Sequence, residues 1–498
     1  MSYKTHVYGG GESYSGVLPM KQPNESQGGP QEAVEGRPLT KENMEQPNLR
    51  RTPSRESEPT GLDRVRRAAK GDGKLKFTAL LHHVNVDLLR SSYLSLKKRA
   101  AAGVDGVTWE EYGGSLEERL TDLHGRIHRG AYRAKPSRRA WILKSDGRQR
   151  PLGIAALEDK IVQRAVGEVL NSIWEEDFKG FSYGFRPGRS QHDALDALYV
   201  GITQKKVNWV LDLDIQSFFD KIDQNWLVQF VEHRIGDKRV VRLIQKWLKA
   251  GVMEDGQWIE TEEGTPQGSV ISPMLANLYL HYVLDVWVEV WRKKVARGEM
   301  IIVRYADDAV LGFQYREDAD LFLAQLRERL LKFGLKLHPD KTRLIEFGRY
   351  AAERRKKRGE GKPETFTFLG FTHICGRSRQ TGYFTVQRKT MGKRMAAKLT
   401  EIGQQLRQRL HESIGDVAEW LPRVVRGYFQ YHAVPGNEQQ MKTFRQDVLR
   451  KWLWQLRRRS QRSGWSWERF QEWLGVLLPP VKDLHPWPEV RFAAKHPR

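Results

Sequence analysis

A single cysteine, Cys375, in 498 residues excludes an internal disulfide framework, and it equally excludes zinc ribbons, fingers and knuckles built on cysteine ligands. No run of 18 apolar residues occurs, and the opening MSYKTHVYGGGES lacks the apolar stretch of a secretory signal. The expectation is a soluble protein in a reducing compartment, away from membranes. Residues 1–60 are poor in core-forming side chains, with six Leu, Ile, Val or Phe against seven Gly and seven Pro. That is too few to offset the entropy of ordering, so a disordered leader is expected. Acidic residues are also in deficit: 61 Asp plus Glu face 84 Lys plus Arg, for a net charge of +23. A polyanion matches that surplus most simply, nucleic acid ahead of acidic lipid, because no amphipathic basic anchor stands out. Core-forming residues are plentiful elsewhere: 39% of the chain is hydrophobic, with 16 Trp, 16 Tyr and 19 Phe. Wholesale disorder is thereby excluded, and the length allows about two to four domains.

Periodicity organises the rest. Residues 75–98 have helical spacing, GVDGVT (103–108) is a turn, and a helix is expected over 120–129. Residues 140–154 read as two strands joined by a turn at Asp146 and Gly147, followed by a long helix over 159–174. In NWVLDLDIQSFFD, Trp209, Leu211, Leu213 and Ile215 alternate with Val210, Asp212 and Asp214, so both acids project from one face of a strand. A second apolar strand over 300–304 runs into Tyr305, Ala306, Asp307 and Asp308 and leaves through 309–313, a hairpin with acids at its turn. Short strands are expected over 343–348 and 366–373, with the basic run ERRKKRGEGK (353–362) between them as a solvated loop. Residues 391–498 carry 20 Lys or Arg, 10 Asp or Glu and seven Trp in helical patterning. On 419–432, Trp420, Val424, Tyr428 and Tyr431 form an apolar stripe opposite Arg423, Arg426 and Gln430.

Asp214, Asp307 and Asp308 are the acids that invite chemistry. Apolar strands ending in clustered carboxylates point to divalent cations, since unpaired buried carboxylates are costly. Two such ions can activate a 3′-hydroxyl and stabilise a departing pyrophosphate. Adjacent Asp residues are also good turn formers, so the pair alone decides nothing.

The order of segments from residue 74 onward resembles the reverse transcriptases encoded by bacterial group II introns, the intron maturases. The matching stretches are GVDGVTWEEY (103–112), RPLGI (150–154), YGFRPGRSQHDAL (183–195), DLDIQSFFDKID (212–223), GTPQGSVISPMLANLYL (264–280), RYADDAV (304–310), GLKLHPDKT (334–342) and FTFLGF (366–371). The resemblance implies an α+β right-hand polymerase with fingers, palm and thumb and a helical C-terminal maturase domain. Its expected divisions are a leader over 1–73, N-terminal extension and fingers over 74–205, palm over 206–375, and thumb with maturase domain over 376–498. It implies that Asp214, Asp307 and Asp308 are the catalytic metal ligands with the Ile215 carbonyl as a further one, Asp212 being the weaker claimant. The metal expected is a pair of Mg²⁺ ions, with Mn²⁺ as a substitute. Nucleotide contacts fall to Lys144, Arg150, Phe219, Gln267 and Lys341, where the ring of Phe219 lies under the incoming sugar and rejects a 2′-hydroxyl. Primer and template contacts fall to Arg189, Leu369 and Gly370, and RNA contacts to Arg457, Arg458, Arg459 and Arg462.

The implied activity is RNA-directed DNA synthesis from deoxynucleotides on an RNA template with a DNA or RNA primer. The implied partners are group II intron RNA, whose splicing and mobility the protein assists, and target DNA, in the bacterial cytoplasm. A C-terminal zinc-supported endonuclease, present in many members of that family, is not expected with one cysteine and an end at Arg498. Two other readings remain at this point: a splicing maturase with little polymerase activity, and a related reverse transcriptase serving a CRISPR, retron or repair system. An RNA-dependent RNA polymerase is disfavoured by Phe219.

Overall fold

The computed structural model describes residues 61–143, 149–260, 263–265, 268–378, 381–459 and 464–496. Residues 1–60 of the expected leader lie outside the described residues, and a leader extending to residue 73 overruns the first helix: Gly61–Gly71 (α1) buries Val65 and Ala69, four residues apart on one face. The helix expected over 75–98 is shorter than its pattern. The Asp237 carboxylate accepts the N–H groups of Leu80 and Leu81, and Phe77 forms a strand-like bridge with Ile235. Only Val86–Ser95 (α2) is α-helix, its start fixed by Asn85, whose side chain accepts from Leu88.

Trp109–Gly113 (α3) and Leu116–His128 (α4) precede an antiparallel pair, Ser137–Leu143 (β1) and Gln149–Ile154 (β2). The Asp146 and Gly147 turn between them lies outside the described residues. Leu157–Asp177 (α5) is buried almost all round, and Gln191–Gln204 (α6) starts in a capping box of Ser190 and Asp193. After Trp209–Asp214 (β3) come Gln224–Arg234 (α7), Lys238–Leu248 (α8), Val252–Glu254 (β4) and Gln257–Ile259 (β5). Ser272–Leu280 (α9) passes through a π-turn at His281–Asp285 into Val286–Lys294 (α10). Met300–Tyr305 (β6) and Asp308–Phe313 (β7) form the acid-bearing hairpin, followed by Arg316–Lys332 (α11) and Arg343–Glu346 (β8).

The basic run at 353–362 is only partly loop. Its first half belongs to Ala351–Lys357 (α12), where Lys357 pairs with Glu353 four residues back at 2.8 Å. Its remainder is tied down by Arg358, which donates to Glu346 and Glu360. Phe366–Phe368 (β9), Phe371–Arg377 (β10) and Phe384–Thr390 (β11) make a separate antiparallel sheet. The remaining helices are Gly392–Gln408 (α13), Ile414–His432 (α14), Glu438–Arg458 (α15), Trp467–Trp473 (α16) and Pro488–Lys495 (α17). On α14 the apolar side is wider than the stripe read from sequence, because Leu421, Val425 and Phe429 are also buried, while Arg423 and Arg426 face solvent. Among the described residues no helix is long and apolar enough to cross a membrane.

The sheets run β2-β1-β4-β5, β6-β7-β3-β8 and β11-β10-β9. The middle one is antiparallel throughout and separates two cores. Leu211, Leu213, Ile302 and Leu311 face a core that reaches back to α1 and α5. Val210, Val303, Val310 and Ile345 face a second core closed by β9, β10 and β11. Strand alternation puts Asp212, Asp214 and Asp308 on this second face, towards the end of β3 and the start of β7.

Candidate active site

The register of β3 and β7 places Asp214 directly opposite Asp308 and Asp212 opposite Val310. Like charges at opposed positions of a sheet repel, and here burial adds to the cost. Asp308 is only 7% exposed, and burial pushes its carboxyl well above the usual carboxylate range, opposed first by the charge of Arg394 and then by Lys341. Asp212 is pushed up to about 7, by burial first and by Asp214 last, with Arg343 opposing. Lys341 lies with Nζ at 3.5 Å from the Asp214 carboxylate. Asp307 follows Ala306 in the two-residue loop of the β6–β7 hairpin, and Ala306 has φ +57°, the left-handed conformation that tight hairpins of right-handed twist require.

These acids suit a hard, oxygen-seeking divalent cation, because buried carboxylates facing one another cannot all ionise without a compensating charge. The side chains share one face without closing into a cluster: among the described residues no three His, Cys, Asp or Glu groups converge to hold an ion. Ile215 sits in an isolated bridge with Leu337. The hydrogen bonds of that bridge use the Asp214 carbonyl and the Gln216 N–H, leaving the Ile215 carbonyl outside it.

Phe218 and Phe219 differ in burial. Phe218 is 2% exposed and belongs to the core, whereas Phe219 is half-buried, edge-on to it at 5.3 Å. The GTPQG loop docks on this ring's backbone: Thr265 N–H donates to the Phe219 carbonyl at 2.9 Å. Gly264 has φ +80°, and a Cβ there would lie 2.8 Å from the same carbonyl oxygen. Gly268, at φ +107°, meets the Gly153 carbonyl of β2 in the same way, so the loop joins the Phe219 segment to the RPLGI strand. Lys144 and Gln267 lie outside the described residues. Arg150 pairs with Ile142 along β1 and β2.

Leu369 and Gly370 form the turn between β9 and β10, with φ of +47° and +82°. Residues of the helical region that follows pin it. Tyr431 of α14 donates its hydroxyl to the Leu369 carbonyl at 2.7 Å, and Met391 N–H donates to the Gly370 carbonyl at 3.1 Å. Arg394 of α13 fills the space a Gly370 Cβ would need, with Nη1 at 2.7 Å. Arg189 spends one nitrogen on the Gly180 carbonyl at 2.6 Å and lies over the Tyr183 ring.

The C-terminal arginines separate. Arg457 and Arg458 are exposed, Arg458 lying 4.6 Å above the Trp454 ring. Arg459 is turned inward, donating to the carbonyls of Glu412 and Arg409, so it fixes the end of α13 and offers little to a ligand. Arg462 lies outside the described residues. Trp465 and Trp467 pack against a third core, built from α13, α14, α15 and Phe470 of α16.

Three residues near the acids carry no role that the sequence reveals. Arg394 stands in no motif, since only the fold brings α13 beneath the β9–β10 turn. Arg304 stands inside RYADDAV, yet nothing in a sequence says that its side chain points inward. Its partner Asp285 sits in a π-turn that breaks helical period.

The family described as reverse transcriptase (RNA-dependent DNA polymerase) matches residues 142–373, which include all three acids, the GTPQG loop and the β9–β10 turn. Protein YkfC of Escherichia coli is 35% identical over 318 residues, covering 57% of this chain and 79% of that protein. The chain belongs to the reverse transcriptase family. Group II intron-encoded protein LtrA of Lactococcus lactis is 35% identical over 222 residues, 44% of this chain and 37% of LtrA. An uncharacterised 91 kDa protein in the cob intron of Schizosaccharomyces pombe is 25% identical over 430 residues, 72% of this reverse transcriptase chain and 51% of that protein. The chain thus spans about a third to a half of these two intron-encoded relatives.

Proposed function

We propose that the protein is an RNA-directed DNA polymerase that works with a group II intron RNA, copying RNA with deoxynucleotides and holding the intron in its splicing fold. The observation that carries the polymerase reading is the β3–β7 register, which sets Asp214 against Asp308 with Asp307 at the hairpin loop between β6 and β7. Asp214, Asp307, Asp308 and the Ile215 carbonyl would hold Mg²⁺, or Mn²⁺ in its place. Bound there, the ions supply activation of the primer 3′-hydroxyl and neutralisation of the leaving pyrophosphate. Lys341, whose Nζ lies 3.5 Å from the Asp214 carboxylate, exchanges that carboxylate for the incoming triphosphate in this reading. Lys144, Arg150 and Gln267 complete the nucleotide site in this reading, and the turn at Leu369 and Gly370, together with Arg189, holds the primer and template. In hand terms the fingers run over 74–205, the palm over 206–375 and the thumb and maturase region over 376–498.

Phe219 is the discriminator between sugars in this reading. Phe219→Val is expected to raise ribonucleotide incorporation relative to deoxynucleotide incorporation, measured as the ratio of kcat/KM values in single-nucleotide extension. Unchanged discrimination would remove Phe219 from that role.

RNA recognition falls to the helical C-terminal region. Trp454 is 49% exposed between Arg407 of α13 and Arg458, at 5.8 and 4.6 Å. An exposed ring flanked by guanidinium groups suits stacking on unpaired bases beside phosphate contacts. Splicing chemistry belongs to the RNA, so the protein need only hold it. The test compares two variants in splicing and in primer extension: Asp307→Ala with Asp308→Ala, and Arg407→Gln with Arg457→Gln and Arg458→Gln. The first is expected to lose extension and keep splicing, and the second to lose more intron affinity and splicing than extension on a generic template. Loss of splicing by a folded first variant, or full intron affinity in the second, contradicts the division.

A further inference from the structure

We propose that Arg304, locked by Asp285, is the positioning residue that sets the direction of the two hairpin carboxylates. The inference rests on reading Asp307 and Asp308 as the polymerase acids, and it adds a support that reading does not contain.

Arg304 and Asp285 are both fully buried, and their side chains meet in a two-pronged pair: Nε donates to Oδ1 at 2.8 Å and Nη2 to Oδ2 at 2.6 Å. Three more bonds use the rest of the fork. Nη2 donates to the Ser182 hydroxyl at 2.7 Å, and Nη1 to the Asn277 side-chain oxygen at 3.1 Å and to the Ala306 carbonyl at 2.8 Å. A guanidinium has five N–H groups, so none is left over. The bond to Ala306 matters most, because that carbonyl belongs to the peptide that leads into Asp307. Fixing its plane at a residue of φ +57° fixes where the next two side chains leave the backbone.

The surroundings are built around the same peptide. Gly184 lies so close that a Cβ on it would fall 2.3 Å from the Ala306 nitrogen. Asn277 holds the Gly184 carbonyl with its amide at 2.5 Å. The chain from Phe181 to Tyr183 runs beside β6, with Arg304 N–H donating to Phe181 and Tyr183 N–H donating to the Arg304 carbonyl. On the far side, the π-turn between α9 and α10 inserts an extra residue into the helix and carries Asp285, a local irregularity that helices otherwise avoid.

A buried ion pair contributes little to stability compared with apolar residues of the same size, because both charges must be stripped of water. Its distinctive yield here is directional: no apolar side chain can bond the Ala306 carbonyl. The pair also acts without lending charge to the site. The opposing charges felt by Asp308 are those of Arg394 and Lys341, while that of Arg304 is cancelled by Asp285 at contact distance.

The test is Arg304→Lys, which keeps the charge and loses the fork. Extension kcat should fall on the order of a hundredfold, as small misplacements of reacting groups do, with KM for deoxynucleotide and for primer-template within about threefold. The second readout needs neither metal nor substrate: in EDTA, amide exchange over 305–310 should accelerate at least about tenfold while exchange in α15 stays as in the wild type. Wild-type kcat, or wild-type exchange at the hairpin, overturns the proposal. Should α15 exchange rise too, the lysine variant has lost its fold, and Ser182→Ala decides: removal of that one bond should speed hairpin exchange locally and lower kcat several-fold, and no change in either overturns the proposal. A wild-type protein that extends no primer would refute the polymerase reading, while the EDTA exchange would still judge the strut.

Discussion

Asp308→Asn should lower the rate of primer extension on the order of a thousandfold or more, because it removes a metal ligand and with it several kcal/mol of transition-state stabilisation. Affinity for RNA should stay close to that of the wild type, since every phosphate-binding side chain is kept. The structure adds a second expectation that separates this effect from misfolding. Burial raises the Asp308 carboxyl above its unfolded value, opposed by Arg394 and Lys341. A carboxyl whose folded pKa is raised gives up stability as pH rises from its unfolded value near 4 through the folded one. Without added metal at neutral pH, the neutral amide escapes that cost. The Asn variant should therefore melt no lower than the wild type at pH 7.5, and any advantage should shrink on acidification towards pH 4. Substantial residual synthesis with Mg²⁺, or a large fall in melting temperature, would contradict the role given to Asp308.

RNA binding should weaken steeply with salt. The surplus of 23 positive charges, together with exposed Arg407, Arg423, Arg426, Arg457 and Arg458 on α13 to α15, implies that several phosphates are bound, each releasing condensed counterions. With about six phosphates neutralised, affinity falls on the order of a thousandfold between roughly 50 and 200 mM salt. Neutralising Arg407, Arg457 and Arg458 should flatten the slope of log affinity against log salt, by up to about 0.9 for each phosphate released on duplex and about 0.7 on single strands. Titrations of a structured RNA at four or five salt concentrations measure both. A flat profile for the wild type would remove the polyanion as the reason for the charge.

The palm was legible because strands report their faces at period two. The alternation of Val210, Asp212 and Asp214 against Leu211 and Leu213 is the alternation that divides the two cores in the structure. The hairpin was legible for the same reason, although Asp308 proves to be the first residue of β7 and only Asp307 belongs to the loop. Helix limits were less visible. Asp237 ends the pattern before α2 from 156 and 157 residues away, and no local reading contains that contact. Charge runs misled where partners are distant or concealed: Arg358 is bonded to Glu346, and Arg459 to carbonyls at the end of α13. The supports of the site, Arg394 beneath the Gly370 turn and Arg304 against Asp285, are long-range contacts of buried cations. In a sequence these are indistinguishable from solvated ones.

Extension of a DNA primer on an RNA template by the purified wild-type chain, with deoxynucleotides and Mg²⁺ and with Asp308→Asn in parallel, tests the central claim most directly. The account predicts complementary DNA to the template end by the wild type, its abolition by EDTA and in the variant, and poor use of ribonucleotides. Failure of the folded wild type to add deoxynucleotides, or equal synthesis by wild type and variant, would contradict it.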